Sequence, residues 1–163
     1  CGILRRRSLN QMANRSSVDC LVLGHNLDDF AQTVLMNHAR GDIARLSRMA
    51  PHRFVQRGFV PRLLPLRRLP EQEIYLYSML KGMEFYDGDC PHSKEAQRNT
   101  FRDILMKLEK EQPGTRHSLL SGMEKIRENM SKPEELTPCP SCGEPSGSPE
   151  PCVFCREFAT FVV

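Results

Sequence analysis

The chain has 163 residues, enough for one ordinary domain with a small appendage but too few for two full domains. Hydrophobic residues make up 39% of the sequence and charged residues 26%, so a hydrophobic core can form. No apolar run approaches the roughly 18 residues that a membrane-spanning helix needs. We therefore expect a globular, cytoplasmic protein that does not contact a membrane.

The charge is distributed unevenly along the chain. Residues 1–68 carry 12 basic and 4 acidic side chains, a net charge of +8, whereas residues 69–163 carry 11 and 16, a net charge of −5. The basic part is rich in arginine, whose guanidinium groups make bidentate contacts with phosphates and release counterions when they bind. Scattered surface charge is the alternative, but the clustering favours a polyanionic partner.

The first predicted elements are a helix, a strand and a second helix. Apolar residues recur at helical spacing over residues 3–15, and three arginines follow one another within this helix. The run VDCLVLG at 18–24 is typical of a buried parallel strand. It leads into a polar turn, GHN at 24–26, at the edge of the sheet where α/β folds bind ligands. Two aspartates then open a helix that extends to about residue 38.

The rest of the chain is predicted to be mainly helical. A short helix over 42–49 is ended by Pro51, and residues 53–70 alternate arginine with apolar side chains as a strand or a loop. Further helices are predicted over 71–83, 94–110 and 116–130. With so few strands, the parallel sheet is too small to stand alone, and we expect the chain to be the C-terminal portion of a longer protein.

The seven cysteines indicate a metal site. An odd count argues against a disulfide framework. Two C-x-x-C pairs stand near the C-terminus with nine residues between them, and that insert is rich in Gly, Pro and Ser. Each pair can form a tight knuckle, and the two knuckles together supply four thiolates for tetrahedral zinc. The predicted zinc ligands are Cys139, Cys142, Cys152 and Cys155.

Several motifs together resemble one protein family. They are CGILRRR at 1–7, GHNLDD at 24–29 with the AQT and MN that follow, RGD at 40–42, DCP at 89–91, RNTFR at 98–102, and the closing C-x-x-C pairs. Their order is similar to that of the PP-loop ATP pyrophosphatases that thiolate tRNA. Within that superfamily the chain looks most like the tRNA 2-thiouridine synthetases, which include bacterial two-thiouridine synthetase A and the archaeal and eukaryotic cytosolic thiouridylases.

The resemblance implies an α/β fold: part of a PP-loop (HUP-like, parallel-sheet) domain, followed by helices and a small C-terminal zinc-binding unit. Residues 1–131 would be the C-terminal portion of the catalytic domain, 132–138 a linker, 139–155 the zinc finger and 156–163 a tail. The implied reaction adenylates the C2 carbonyl of a tRNA uridine with ATP and Mg²⁺, and sulfur then displaces AMP. By the resemblance, the family's N-terminal zinc finger and its Ser-Gly-Gly-x-Asp-Ser phosphate loop are expected upstream of residue 1. Neither occurs in these 163 residues, which leaves the activity of this chain alone in question.

Two of the remaining cysteines match family positions that hold an iron–sulfur cluster. Cys1 matches the second cysteine of a C-x-x-C pair, and Cys90 matches a third cysteine on a loop. Three ligands on a [4Fe-4S] cluster leave one iron open for the sulfur that is transferred. A chance position for Cys1 and an ordinary loop thiol for Cys90 are the alternatives. Cys20 matches no functional position and is expected to be a small buried residue.

The polar turn and the first helix carry the expected nucleotide site. Gly24 has no side chain, so a nucleotide can approach the backbone there. By the resemblance, Asp29 is the functional acid that orients ATP, Mg²⁺ or the uridine, and Arg5 lies near the phosphates. His25 and Asn26 belong to the same turn. Helix capping is the alternative for Asp28 and Asp29, and a solvated basic face is the alternative for Arg5.

The basic part of the chain is the expected tRNA-binding surface, with contacts mainly to phosphates. The resemblance also implies two further interactions. They are binding of a ubiquitin-like thiocarboxylated sulfur carrier and formation of a homodimer. The sequence does not distinguish a wobble uridine from a T-loop uridine as the target. The expected tRNA contacts are Arg6, Arg7, Arg40, Arg45 and Arg48.

Three alternatives to this function remain open. The 2-thiocytidine branch of the superfamily shares the cysteine pattern, but it usually has His-His in place of His25-Asn26 and lacks the closing zinc motif. A tRNA-lysidine synthetase does not need Cys1 and Cys90. The third alternative, from another class, is a basic RNA-binding module that zinc stabilises and that has no catalytic activity.

Overall fold

The computed structural model describes residues 2–49, 55–86, 88, 90–92, 97–130, 135–147 and 149–158. In chain order its elements are α1 (Gly2–Arg15), β1 (Leu21–Val22), α2 (Leu27–Ala39), α3 (Ile43–Ser47), β2 (Arg62–Leu63), α4 (Glu71–Leu80), α5 (Arg98–Glu111), α6 (Thr115–Glu128), β3 (Thr137–Pro138), β4 (Pro145–Ser146) and α7 (Val153–Phe158). Within these described ranges, no helix has the length and apolar character that crossing a membrane requires.

The chain divides into two compact units, each assembled from segments that are separated in sequence. Unit 1 comprises Cys1–Val22, Ala50–Leu63 and Lys132–Val163, and unit 2 comprises Leu23–Met49 and Leu64–Ser131. Unit 1 therefore joins the N-terminal helix to the C-terminal cysteines. Unit 2 contains helices α2 to α6.

Unit 1 contains a parallel strand pair, as the sequence predicts, but the pair is short. Leu21 lies opposite Arg62 and Val22 opposite Leu63. The predicted parallel strand is confirmed at Leu21–Val22, but the predicted length over 18–24 and its burial are wrong, since only two residues pair and Val22 is 59% exposed. Two short strands cannot cover each other's faces, so the apolar residues of the run remain accessible to solvent.

Helix α1 is attached to the rest of unit 1 mainly through polar side chains. The Asn10 side chain is buried, donates from Nδ2 to the Gly58 carbonyl at 2.9 Å and accepts from the Val60 amide at 3.2 Å. Gly58 has a φ of +87°, and a Cβ atom there would lie 2.8 Å from Pro145. A glycine is therefore required where the segment before β2 approaches the cysteine-bearing segment.

Unit 2 is organised around α2, which packs against α3, α5 and α6. Its core contains Val34, Leu46 and Met123, and partly buried apolar side chains surround them. Phe30 and Ala31, on the same face of α2 as Val34, are also buried. This face of α2 therefore contributes to the core of unit 2.

The helix predictions are confirmed with small shifts at the ends. The helix predicted over 71–83 ends at Leu80, and Gly82 just beyond it adopts a φ of +63°, a conformation that ends helices. Asp42 caps α3 by accepting from the Arg45 amide, whereas the predicted terminator Pro51 lies outside the described residues. The predicted start of α5 at 94 also lies outside them.

The predicted boundaries of the linker and the zinc finger lie close to an antiparallel strand pair. Residues 137–138, at the end of the predicted linker, form β3 and pair with β4. The beginning of the predicted tail, 156–158, belongs to α7. The division of the chain into a catalytic portion, linker, zinc finger and tail stays a prediction.

We expect Leu46→Ala to lower the free energy of unfolding by about 2–5 kcal/mol, because it leaves a cavity beside Val34 and Met123. Denaturant unfolding would measure the change. Leu80→Ala is the matched control, since Leu80 is 78% exposed and its truncation should change stability by less than about 0.5 kcal/mol. Equal effects of the two substitutions would contradict this assignment of the core.

Candidate functional site

The polar turn predicted at the start of α2 is a helix cap. Asn26 precedes the helix, and its side-chain oxygen accepts from the Asp29 amide at 3.0 Å. The Asp29 carboxylate in turn accepts from the Asn26 amide at 3.2 Å. This reciprocal capping box satisfies two backbone donors that would otherwise lack partners. The capping alternative is thus confirmed for Asp29. Only one of its carboxylate oxygens takes part in the cap.

Asp28 has different partners from its neighbour. One of its carboxylate oxygens accepts from Arg116 on α6 at 2.6 Å, and the other accepts from the Glu71 amide at the start of α4 at 2.7 Å. The side chains of Asp28 and Arg116 are only 15% and 17% exposed. Asp28 therefore serves to hold three helices of unit 2 together.

Arg116 is shared between two carboxylates. Burial disfavours its charge, but the hydrogen bond and the charge of Asp28, with a contribution from Glu109, raise the guanidinium pKa overall. Burial likewise opposes the charge of Glu109, yet the amides of Arg116 and Gly114 donate to its carboxylate and lower its pKa. The ionised Glu109 thus caps α6, whose first residue follows Gly114.

Asp29 faces Arg98, a residue for which the sequence predicted no contact. Arg98 on α5 donates to Asp29 Oδ1 at 3.1 Å and to Gln32 Oε1 at 2.9 Å. The Asp29 side chain remains 33% exposed, about twice the exposure of Asp28. A carboxylate has about four lone-pair sites, so Asp29 retains acceptor capacity for a cation or a substrate group. Arg98 belongs to the RNTFR motif at 98–102, which the sequence analysis identified. The acid that it contacts is shown only by the packing of α5 against α2.

The space beside Gly24 is open. A Cβ atom built at this position would meet no heavy atom within 4 Å, so a ligand can approach the backbone there. His25 follows Gly24 in the sequence, precedes the capping residue Asn26, and is half-buried. Gly24 and Asp29 both belong to unit 2, while Arg5 is an exposed residue of α1 in unit 1. Their joint role at a nucleotide stays a prediction.

The cysteines outside the C-terminal pairs are placed as follows. Cys90 is exposed and forms no disulfide, so its thiol is accessible to a metal or a cluster. Cys1, its predicted partner, lies outside the described residues. Cys20 is half-buried next to β1 rather than fully buried, because the two-stranded sheet covers it incompletely.

The arginines expected to contact tRNA have varied surroundings. Arg40 follows α2 and is exposed, Arg45 on α3 pairs with Asp42 while remaining 62% exposed, and Arg48 follows α3. All three lie within or beside the connection from α2 to α3 in unit 2, which we call the α2–α3 corner. In unit 1, Arg6 is exposed, whereas the guanidinium of Arg7 donates to Cys142 Sγ at 3.1 Å. Their roles toward tRNA stay predictions.

The four C-terminal cysteines converge, as their spacing predicts. Their Sγ atoms all lie within 4.8 Å of one another, with 3.9 Å between Cys139 and Cys155 and 3.8 Å between Cys142 and Cys152. Tetrahedral coordination with metal–sulfur bonds of about 2.3 Å requires sulfur atoms about 3.8 Å apart. Gly143, at a φ of +73°, completes the first knuckle, and its amide donates to the Cys139 carbonyl.

The donor set and its spacing fit one ion rather than a cluster. A [4Fe-4S] cluster binds each thiolate through a separate iron, which spreads the sulfur atoms further apart than a single ion does. Four cysteine sulfurs in tetrahedral array are typical of zinc. This group is therefore distinct in geometry from any cluster site at Cys90.

The surroundings of the sulfurs favour some thiolates over others. The Cys152 amide donates to Cys139 Sγ at 3.2 Å and lowers the pKa of that thiol to about 6. Burial raises the pKa of Cys155 to about 12, with further contributions from the neighbouring cysteines. Four adjacent thiolates repel one another, so a cation is needed before all four ionise together.

These features define an α/β protein with an open, capped turn at the start of a core helix and a separate, compact four-cysteine group. A family model described as a PP-loop domain matches residues 3–109. The chain belongs to the PP-loop domain family.

Relatives and one solved structure extend this result. The chain is 38% identical to the tRNA 2-thiolation protein NcsA of Haloferax volcanii, across 96% of this chain and 52% of the relative. It is 37% identical to the cytoplasmic tRNA 2-thiolation protein 1 of Drosophila melanogaster, across 95% and 46%. The structure of the U34-tRNA thiolase NcsA from Methanococcus maripaludis with its [4Fe-4S] cluster matches 100% of this chain and 52% of that chain, with 32% identity and a TM-score of 0.82. The chain thus spans about half the length of the curated relatives it matches.

We expect Arg116→Met to destabilise the protein by about 1–3 kcal/mol, because it leaves the Asp28 and Glu109 carboxylates without their shared partner. Arg102→Met is the matched control: its ion pair with Glu71 is more than half exposed on both sides, and its loss should cost less than about 1 kcal/mol. Thermal unfolding of the two variants at neutral pH would check the difference. A smaller effect at Arg116 than at Arg102 would contradict the structural role of Asp28.

Proposed function

We propose that this chain is part of an ATP-dependent tRNA sulfurtransferase that converts a tRNA uridine to 2-thiouridine. The observation that carries the proposal is the match of the whole chain, at a TM-score of 0.82 and 32% identity, to a solved U34-tRNA thiolase. Relatives from archaea and animals carry names for tRNA 2-thiolation and support the same function. By the same comparison, U34 is the uridine that we propose as the target.

The reaction has two steps on one carbonyl. The C2 oxygen of the uridine attacks the α-phosphorus of ATP, and pyrophosphate leaves. A hydrosulfide then adds at C2, the C–O bond breaks with AMP as the leaving group, and the S–H proton is released to leave the thiocarbonyl. Activation is needed because the carbonyl oxygen is a poor leaving group until it is bonded to phosphorus.

Unit 2 contributes the groups that we assign to the nucleotide and the uridine. The open backbone at Gly24 offers a close approach, and Asp29 presents a partly exposed carboxylate held by Asn26 and Arg98. We propose that Asp29 orients Mg²⁺, ATP or the uridine with the acceptor sites that remain. Arg5 and the turn residue His25 are proposed to contribute to nucleotide binding.

Cys90 is the residue of the described ranges that we assign to an iron–sulfur cluster. Its thiol is exposed and outside any disulfide, which suits a ligand, and we propose that Cys1 contributes a second thiolate. When bound with a third thiolate, from the first cysteine of the pair to which Cys1 is assigned, the cluster would supply one open iron for the sulfur to be transferred. The cluster in the solved NcsA supports this assignment.

The four C-terminal cysteines are proposed to bind one structural zinc ion. The arginines at the α2–α3 corner are proposed to contact tRNA phosphates.

Reconstitution with free sulfide or with a ubiquitin-like thiocarboxylated carrier would identify the sulfur source. Sedimentation of the gene product would distinguish a monomer from a homodimer.

We expect Cys90→Ala in the full-length gene product to abolish 2-thiouridine formation in a host deficient in tRNA thiolation, because it removes a cluster ligand. Nucleoside analysis of total tRNA is the measurement. Cys20→Ala is the matched control and should retain activity, since Cys20 is assigned no chemical role. Thiolation that persists in Cys90→Ala would contradict the cluster assignment, and absence of 2-thiouridine with the unchanged gene would contradict the function and favour an RNA-binding module.

Metal analysis tests the two sites separately. The anaerobically purified full-length gene product should contain iron, acid-labile sulfide and zinc, and Cys90→Ala should lose iron and sulfide but keep its zinc. Cys142→Ser should lose one equivalent of zinc and keep iron and sulfide, because Cys142 belongs to the compact group that fits a single ion. Loss of both metals in either variant would contradict the existence of two independent sites.

A further inference from the structure

Arg7 lies at the point where helix α1 meets the four-cysteine group. Its guanidinium donates to Cys142 Sγ at 3.1 Å and stacks over the Phe154 ring at 4.0 Å from the centroid. Cys142 belongs to the first knuckle, and Phe154 stands between the two cysteines of the second. One side chain of α1 therefore contacts both knuckles.

The charge of the proposed metal site calls for such a partner. Four thiolates around a divalent cation have a net charge of −2, and partial burial makes that charge costly. A guanidinium that donates to a thiolate offsets part of this charge without competing for the metal, because arginine stays protonated and has no lone pair to offer. Hydrogen bonds to ligating atoms also fix their orientation.

Further contacts of α1 make the orientation of Arg7 well defined. One turn along the helix, Gln11 donates to Glu144 at 3.0 Å, and Glu144 follows the first knuckle. The Glu144 carbonyl accepts from the Cys139 amide at 2.8 Å, so this contact continues into a predicted ligand. Asn10 anchors the same turn of α1 to Gly58 and Val60.

We propose that Arg7 is a positioning residue of the four-cysteine metal centre, which holds the two knuckles together around the ion through Cys142 and Phe154. The inference rests on the proposed zinc site and deepens it. It gives Arg7 a role different from the phosphate contact that the sequence predicts, and it makes metal retention depend on a side chain about 135 residues away from its partner in sequence.

Zinc retention in the full-length gene product tests the proposal directly. Apparent zinc affinity is measured by competition with a chromophoric chelator, together with the rate of zinc release. Arg7→Met keeps the length and apolar character of the side chain but removes its charge and donors, and we expect about 10–100-fold weaker binding. Arg7→Lys keeps the charge without the planar fork and should fall between Arg7→Met and the unchanged protein.

Two more variants separate the specific contact from a general effect on α1. Arg15→Met is the matched control on the same helix, where the side chain is exposed, and it should retain zinc like the unchanged protein. Phe154→Leu removes the ring beneath the guanidinium, and its effect should be smaller in the Arg7→Met background than alone, because the two residues act together. Far-UV circular dichroism confirms that each variant is folded.

The outcomes are distinguishable. Zinc affinity of Arg7→Met within twofold of the unchanged protein overturns the role of Arg7 while leaving the metal site intact. Equal zinc content in the unchanged protein and in Cys142→Ser overturns the metal site and this inference together. If Arg7→Met fails to fold, Arg7→Lys and Phe154→Leu decide, and unaltered zinc release in both of them overturns the proposal.

Discussion

Two adjacent carboxylates in the first turn of α2 require partners, and unit 2 is arranged so that each receives different ones. Asp28 binds Arg116 on α6 and the first amide of α4, while Asp29 binds Arg98 on α5. Because the N-terminus of a helix favours negative charge, both aspartates also stabilise α2 itself. The polar contacts at this end and the apolar contacts of Val34 further along fix the helices of unit 2 around α2.

The two aspartates differ in how many of their oxygens are engaged and in their exposure, and this difference decides which of them can bind a ligand. Asp28 has both oxygens engaged and little exposure, so it serves the fold. Asp29 also caps α2, but its carboxylate remains partly exposed beside the open backbone at Gly24. Capping and ligand orientation are compatible in one carboxylate because it has more acceptor sites than the cap and Arg98 use. This arrangement supports the positioning role that we propose for Asp29.

Unit 1 depends on a different interaction. It buries few large apolar side chains among the residues that the structure describes, and its N- and C-terminal segments meet at the cysteine group and at polar contacts from α1. A metal ion would then replace much of the stabilisation that a hydrophobic core gives elsewhere. The four sulfurs are clustered, whereas the Cys90 thiol is exposed, and this difference supports the proposal of two distinct cysteine sites.

The sequence by itself determined the features that depend on local geometry. Helical periodicity located α1, α2 and α6, the two aspartates located the start of α2, and the C-x-x-C spacing located four converging sulfurs. Only the tertiary structure decided which acid Arg98 contacts, that Arg7 joins the cysteine group, and that the strand over 18–24 is short and exposed. Those contacts join residues 69 and 135 positions apart. Periodicity and capping report on backbone neighbours a few residues away, whereas pairing between distant residues depends on how complete elements pack.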